Sequence, residues 1–447
     1  MNSSNKQHKI VIKPTPGLKP KSRKKTISLN IKQPLPPNSS RTPKSTSLLS
    51  KQASSTLTFS EPLSGNYILE NYYEFLTFLE EKEIINYSEV YYLRRTVPNS
   101  KASNAITPQL FQFIPKEHIH YRFEMLDLLG KGSFGGVIKC LDHKTNQNVA
   151  IKFLRDRPNH HDQIVSEHSF LQKLQVDNGP EMHHIIKFHE SFLFRGYFCL
   201  VEELLDLDLY RVLQRNHFKG LRISTVQLIA RGLAASLKFS HEHKIVHCDV
   251  KPENILFTSR RHISIKLIDF GCSCPSGEMP FSYIQSRFYR APEIVLGLPY
   301  GPPIDIWSFA CVIYELLTGK VLFEGEDEFE LIQLQMGLLG VPPNEIIAEG
   351  NRSQYYFNSE FKPILRPNEA GNFVLPGTLS LSKLLSLNDK LLISLLSDCL
   401  KWNANERLTP EQIMNHPWLN PPTSADLEKV IPPSTARKAN PRSINRT

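Results

Sequence analysis

The chain has 447 residues, 40% of them hydrophobic, with 53 Lys or Arg against 44 Asp or Glu, a formal net charge of +9. That content suits a globular chain of two or three domains, and no apolar run reaches the roughly 18–20 residues of a membrane helix: IWSFACVIYELL is interrupted by Ser308, Tyr314 and Glu315. Seven cysteines without regular spacing argue against a secreted disulfide scaffold, and the Cys272/Cys274 pair has no second pair at zinc-site spacing.

The basicity is local. Residues 1–60 hold 12 Lys or Arg and no acid, so residues 61–447 carry 41 basic against 44 acidic side chains. Rich in Ser, Thr, Pro and Lys, residues 1–60 are expected to form a disordered basic tail. KPKSRKKT, Lys19 to Thr26, reads either as a nuclear-import or electrostatic contact segment or as a solvated arm. The N-terminal MNSSNKQHKIVIKPTP lacks the apolar core of a secretory signal, so a cytoplasmic location is expected, with the nucleus left open.

From Tyr67 the character changes. YILENYYEFLTFLEEKEIINYSEVYYLRR has apolar residues at helical spacing, among them Tyr72, Phe75, Leu76 and Leu79, and predicts a short helical region followed by an extended one. Residues 61–120 are read as an accessory segment packing on the domain that follows, with TVPNSKASNAITP as loop. Residues 121–419 form the main domain: YRFEMLDLLG, GVIKCLDH and NVAIKFL read as strands. DQIVSEHSFLQKLQ reads as a helix with Ile164, Phe170, Leu171 and Leu174 on its apolar side. After CLVEELL the pattern turns helical. A strand-rich lobe followed by a helix-rich lobe defines an α+β, bilobal domain with a cleft. Residues 420–447 return to a polar, disordered tail.

Five short elements carry chemistry. Gly130, Gly132 and Gly135 in GKGSFGGV let backbone approach a polyphosphate, with Leu129 and Val137 flanking the turn. No helix follows, which excludes the dinucleotide-fold use of such glycines. Lys152, on the strand with Ala150, suits α- and β-phosphates, and Glu167 on the next helix is placed to pair with it; either alone would more often be a surface charge. KIVHCDVKPENILF supplies Asp249 to accept or orient a hydroxyl, Lys251 to stabilise a moving phosphoryl and Asn254 to hold a metal. Taken by itself, that run could be a polar turn. Asp269 in LIDFG would carry the main Mg²⁺. Phosphoryl transfer needs such positioned groups because its charge spreads over non-bridging oxygens. In this order the five elements resemble a protein-kinase site with ATP and Mg²⁺ as cofactors. Glu293 of APE, Arg407 as its partner, and Asp305 of DIWSFA as a brace for the catalytic loop are read as structural.

HCDVKPENIL, LIDFGCSC and SYIQSRFYRAPE are similar to the dual-specificity tyrosine-regulated kinases (DYRK) of the CMGC group, over Tyr121 to about Leu419. LTFLEEKEIINYSEVYYL resembles the accessory segment of the class-2 members. The resemblance implies autophosphorylation of Tyr283, read by Arg287 and Arg290, since Cys248 stands where many kinases have a phosphate-gripping arginine; Tyr283 as a packed aromatic is the alternative. It implies Ser/Thr substrates at Arg-containing, proline-directed sites, met by Glu253 and Glu328, and adenine contacts from the backbone of Glu203 and Leu205. Cys248 and Cys274 match a pair able to form a regulatory disulfide, or two reduced, packed thiols.

The chain departs from the pattern twice. Glu202 stands where relatives carry a bulky apolar residue, usually Phe, and a carboxylate there needs a partner such as Lys152 or a proton. Residues 96–120 lack the family's Asp-rich box. Protein substrates are the expected partners, with no membrane, no nucleic acid and a monomeric state. The competing readings are a catalytically weak or silent kinase-fold scaffold, for which only Glu202 argues, and a nucleic-acid-binding protein, which rests on residues 1–60 alone.

Overall fold

The computed structural model describes residues 56–94, 106–107, 110–132, 135–155, 161–176, 184–259, 262–368 and 371–419. The Lys19–Thr26 stretch, nearly all of the N-terminal tail, most of the linker after residue 94 and the C-terminal tail lie outside the described residues. The chain divides into two compact units: Met1–Leu205 with Asp269–Cys274 and Pro280–Tyr283, and Asp206–Ile268 with Pro275–Met279 and Ile284–Thr447.

The first unit begins with a strand, β1 (Thr56–Leu63), paired antiparallel with β2 (Val90–Arg94) from Thr56 opposite Arg94. Residues 56–60 were expected in the disordered tail; they are strand instead. Their TLTFS pattern is strand-competent once β2 offers a partner, but that partner lies more than thirty residues on. Between the strands run α1 (Gly65–Asn71) and α2 (Phe78–Ile84). Ser64 caps α1 by accepting from the Tyr67 amide, and Thr77 and Glu80 form a capping box that starts α2. Ile68, Ile84, Val90 and Leu93 are thereby turned onto Tyr121, with Phe59 and Tyr72 at the margin, so this segment has a small core of its own.

After a short pair, β3 (Ile106–Thr107) and β4 (Leu110–Phe111), comes a six-stranded antiparallel sheet. Its strands are β5 (His118–Ile119), β6 (Phe123–Gly132), β7 (Gly135–Asp142), β8 (Gln147–Arg155), β9 (Phe188–Phe194) and β10 (Tyr197–Glu203), in the order β5-β6-β7-β8-β10-β9. Side chains alternate across each strand. Val149, Ile151 and Phe153 of β8 join Cys199 and Val201 of β10 in one core, leaving Ala150, Lys152, Leu200 and Glu202 for the other face. The helix α3 (His161–Leu174) buries Ile164, Glu167, Leu171 and Leu174, one stripe at helical spacing. Phe170, expected on that stripe, is half-buried, and an acid takes a place there.

The second unit is mostly helical. It opens with α4 (Leu209–Arg215) and α5 (Ile223–Glu242), followed by β11 (Ile245–Val246) and the hairpin β12 (Ile255–Ser259) and β13 (His262–Leu267). Then come α6 (Pro292–Leu296), α7 (Pro303–Thr318), α8 (Glu328–Leu339), α9 (Asn344–Glu349), α10 (Leu381–Leu385), α11 (Lys390–Cys399) and α12 (Pro410–Met414). α7 starts on Pro303 and stops at Gly319, whose φ of 73° suits the left-handed C-terminal cap. It is buried nearly all round, with Asp305 and Trp307 at 0% exposure. A strand-rich and a helix-rich unit make this the expected bilobal protein-kinase fold. Among the described residues no helix is long and apolar enough to cross a membrane.

Candidate active site

In the strand-rich unit, the register Gly130–Val137–Lys152 aligns the glycine turn, β7 and β8. A cavity of about 270 Å³ lies against these strands, lined by Gly130, Gly135, Val137, Lys152, Glu167 and Asp269 among others. Gly135 has a φ of 151°, and a Cβ there would fall 2.3 Å from the Phe153 carbonyl oxygen, so no larger residue fits that turn. Lys152 Nζ is bonded to Glu167 and lies 2.8 Å from Asp269 Oδ1. Burial alone would depress this ammonium, but the Asp269 and Glu167 carboxylates outweigh burial and hold it above its ordinary range. Burial raises Glu167, with Lys152 opposing. The predicted Lys152–Glu167 pair is thus assembled, and Asp269 joins it.

Ala150 and Glu202 face each other across β8 and β10. Glu203 donates its N–H to the Lys187 carbonyl at 2.9 Å. Glu202 makes no hydrogen bond to Lys152, its expected partner; the lysine acts on it only through its charge.

In the helix-rich unit, Asp249 is 4% exposed and bonded on both oxygens. Ser286 donates to Oδ1 through Oγ (2.8 Å) and its amide (3.2 Å). Lys251 Nζ reaches Oδ2 at 2.6 Å and Ser286 Oγ at 3.1 Å. Asn254 Nδ2 donates to the Asp249 carbonyl at 2.9 Å and to Oδ2 at 3.2 Å. With its NH₂ used in this way, Asn254 keeps its amide oxygen as an acceptor of the hard kind that Mg²⁺ takes; the Asp269 carboxylate offers another. Each residue therefore offers an oxygen that suits the expected metal.

Asp305 on α7 accepts from the His247 and Cys248 amides, both at 2.9 Å, so it does brace the loop before Asp249. His247 accepts from the Asp249 amide through Nδ1 (3.2 Å), so its Nε2, 2.9 Å from the Ile268 carbonyl, carries the proton. Arg407 and Glu293 form a buried fork, both contacts 2.7 Å, as expected. All seven cysteines are free thiols; Cys248 and Cys274 are buried.

Two expectations change. Glu328, read as a receiver of substrate arginine, instead bonds Arg290 Nη1 at 2.9 Å and the Arg352 guanidinium, so both its oxygens are engaged inside the unit. Arg290 is 1% exposed and also donates to the carbonyls of Ile284 (2.9 Å) and Gln285 (2.8 Å), so it ties the segment together from within. Arg287, half-buried, donates to the Glu326 carbonyl. Tyr283 is half-buried too. Near Glu253 stands another acid, Glu315 of α7, 4% exposed and accepting from the Tyr289 hydroxyl at 2.6 Å. Burial pushes Glu315 up to about 7, the Tyr289 bond opposing and the nearby Glu253 and Glu324 reinforcing. Glu253 is exposed at the surface. Sequence reading missed both Glu315 and Ser286; the S-R-F-Y-R motif was seen, but nothing in it showed that the serine would hold Asp249.

Comparison with known proteins agrees with this geometry. Residues 123–419 match the family model described as the protein kinase domain, which fixes the class: a protein kinase, with ATP as phosphoryl donor and proteins as substrates. Over 410 residues the chain is 38% identical to dual specificity tyrosine-phosphorylation-regulated kinase 3 of Homo sapiens, covering 86% of this chain and 69% of that one. It is 37% identical over 375 residues to dual specificity tyrosine-phosphorylation-regulated kinase 2 of Drosophila melanogaster (81% and 52%). It is 39% identical over 354 residues to DYRK-family kinase pom1 of Schizosaccharomyces pombe (77% and 33%). The chain belongs to the DYRK family of CMGC kinases, dual-specificity enzymes that phosphorylate serine and threonine.

Proposed function

We propose that the enzyme phosphorylates its own Tyr283 and thereafter modifies Ser or Thr next to arginine, often before proline, in protein substrates. The observation that carries this reading is the bonded carboxylate of Asp249. Lys251, Ser286 and Asn254 fix both of its oxygens, which orients it to accept the proton of a substrate hydroxyl. Lys251 stands beside it as the charge for the moving phosphoryl. Lys152, oriented by Glu167, holds the non-transferred phosphates. Mg²⁺, taken by Asn254 and Asp269, would neutralise the phosphate oxygens.

Glu253 and Glu315 receive the substrate arginine, the exposed acid first and the buried one behind it. Phosphate on Tyr283 would be met by Arg287 at the surface, with Arg290 holding the loop backbone in place. The test is to produce the chain beside Asp249→Asn in bacteria and map phosphorylation by mass spectrometry. Phosphate on Tyr283 is expected only in the parent, and Glu315→Gln should raise the KM for an arginine-containing peptide more than for its alanine analogue. An unmodified Tyr283 in an otherwise active parent would overturn the maturation step.

A further inference from the structure

The segment before the kinase domain turns apolar side chains outward. On α2, Phe78, Lys82 and the C-terminal cap Ile85 follow one another at helical spacing, on the side away from the buried Glu80 and Ile84. Phe78 is 73% exposed and Ile85 50%, with Leu79 beside them at 41% and Tyr73 at 64% just before the helix. Lys82 Nζ lies 4.0 Å over the Phe78 ring, so this surface already takes an ammonium on an aromatic face. Apolar side chains gathered in this way mark an interaction site, which a lone one does not.

The same segment is acidic. Residues 61–93 hold seven acids and one base, Lys82. Arg195 takes Glu80 and Glu83, and Lys144 takes Glu89. Glu74 and Glu81 have no ion-pair partner among the described residues. Glu74 adjoins Tyr73 in the chain, and Glu81 lies one helical turn on from Phe78. The apolar stripe is therefore edged by carboxylates that nothing in the described residues neutralises.

We propose that this face is the docking site for a segment of the chain's own N-terminal tail, Lys6 to Lys13, KQHKIVIK. Residues 1–55 carry 12 Lys or Arg and no acid, so the charges are complementary. Ile10 to Ile12 is the longest apolar run in those residues, with a lysine on each side. KPKSRKKT matches the charge but has nothing apolar to set on Phe78 and Ile85. Lys13 stands 43 residues before Thr56, about 140 Å of extended chain, which is ample to reach α2 in the same unit. Covering the apolar stripe with the three aliphatic side chains supplies the affinity, and pairing the lysines with Glu74 and Glu81 sets the position. The inference goes beyond the kinase activity and does not depend on it.

Carbodiimide coupling on the full chain tests it, because the reagent joins an ammonium to a carboxylate only where the two are in contact. Unlabelled and ¹⁵N-labelled protein are mixed in equal amounts, so that mass spectrometry separates links within one chain from links between two. Links from Lys6, Lys9 or Lys13 to Glu74 or Glu81, within one chain, should exceed those from Lys19–Lys25 by about tenfold, the scale of burying one aliphatic side chain. Ile10→Ser with Ile12→Ser, and separately Phe78→Ser with Ile85→Ser, should each remove that excess. All four positions lie in the tail or at the surface, so the melting temperature should hold. Links spread evenly over the tail lysines, an excess that survives either pair of substitutions, or no link to Glu74 and Glu81 would each overturn the proposal. Links between chains would overturn it too, since they would give the face to a second copy.

Discussion

Arg195→Asn separates two effects that meet at one residue. Arg195 and Gly196 join β9 to β10 with φ values of 47° and 81°, a two-residue hairpin turn with both central residues left-handed. Asn-Gly is the preferred pair for that turn, so judged by the backbone the substitution should stabilise by up to about 1 kcal/mol. The side chain says the opposite. The guanidinium is 4% exposed and bonds Glu83 Oε1 at 2.5 Å and Glu80 Oε1 at 3.2 Å, with Glu80 itself 2% exposed. Removing one partner of a buried ion pair costs about 3–5 kcal/mol. Glu83 is 20% exposed and keeps the Tyr121 hydroxyl at 2.7 Å, and Glu80 keeps the Thr77 amide at 2.8 Å, so the lower end applies. The net expectation is a loss of about 2–3 kcal/mol, concentrated in α1, α2 and β2, because Arg195 is their polar tie to the sheet. Hydrogen exchange reads this locally: amides of residues 65–93 should lose protection by one to two orders of magnitude while β6–β8 change little. Adding Glu80→Gln and Glu83→Gln should return most of it. Unchanged protection in 65–93, or an increase, would show that the turn outweighs the ion pairs and that this network holds nothing.

Three further outcomes are expected. Glu167→Gln takes away a charged partner of Lys152; kcat/KM for ATP should fall about 10²-fold, the scale of a misplaced phosphate ligand, with the melting temperature held, and a fall under threefold would deny Glu167 its orienting role. Ser286→Ala removes one of two donors on Asp249 Oδ1 and the link to Lys251, so kcat should drop about tenfold with little change in ATP KM; steady-state kinetics on a Ser peptide decide it. His120, between the Phe192 and Tyr87 rings, is pushed down to about 4 by burial and then by Arg122. The unfolded chain binds its proton near pH 6.5 and the folded protein only near 4. Stability is therefore full above pH 6.5 and falls as pH drops toward 4, by at most about 3 kcal/mol. His120→Asn, which tolerates the φ of 54°, should flatten urea-melt stability over that window, and an equally steep parent and variant would refute the assignment.

The chemistry was legible in the sequence wherever a role is confined to a short motif. Lys152 and Glu167 are found bonded as their motifs implied, because a strand and a helix of fixed local geometry present them; that Asp269 would join them was not read. Glu293 and Arg407 were legible for the same reason. What stayed hidden depended on distant pairing. Thr56–Ser60 is strand only because β2 completes it. Glu328 looked like a surface acid until Arg290 and Arg352 were found on it, and Glu315 looked like an ordinary helix residue until α7 packed it under Tyr289. Burial and pairing that no short motif encodes leave no local signature, whereas Glu293 and Arg407, 114 residues apart, each stand in one.

The cysteine before Asp249 is explained by backbone as much as by its missing charge. Cys248, Asp269 and Gln285 have φ of 65°, 63° and 63°, a left-handed conformation that costs a side-chain-bearing residue of order 1–3 kcal/mol. Each is a functional residue or immediately precedes one: Asp249 follows Cys248, and Ser286 follows Gln285. In the helix-rich unit the strain is held in place by buried bonds to α7. Asp305 takes the Cys248 amide at 2.9 Å, and the Gln285 amide donates to the Ile304 carbonyl at 3.0 Å and Ser308 Oγ at 2.8 Å. α7 is thus a rigid template that sets two strained turns, one presenting Asp249 and the other the serine that orients it. A phosphate-gripping arginine at 248 would need its charge solvated or paired, whereas this position is 0% exposed with its thiol against the Val246 carbonyl. The site in the helix-rich unit is therefore organised by packing on α7.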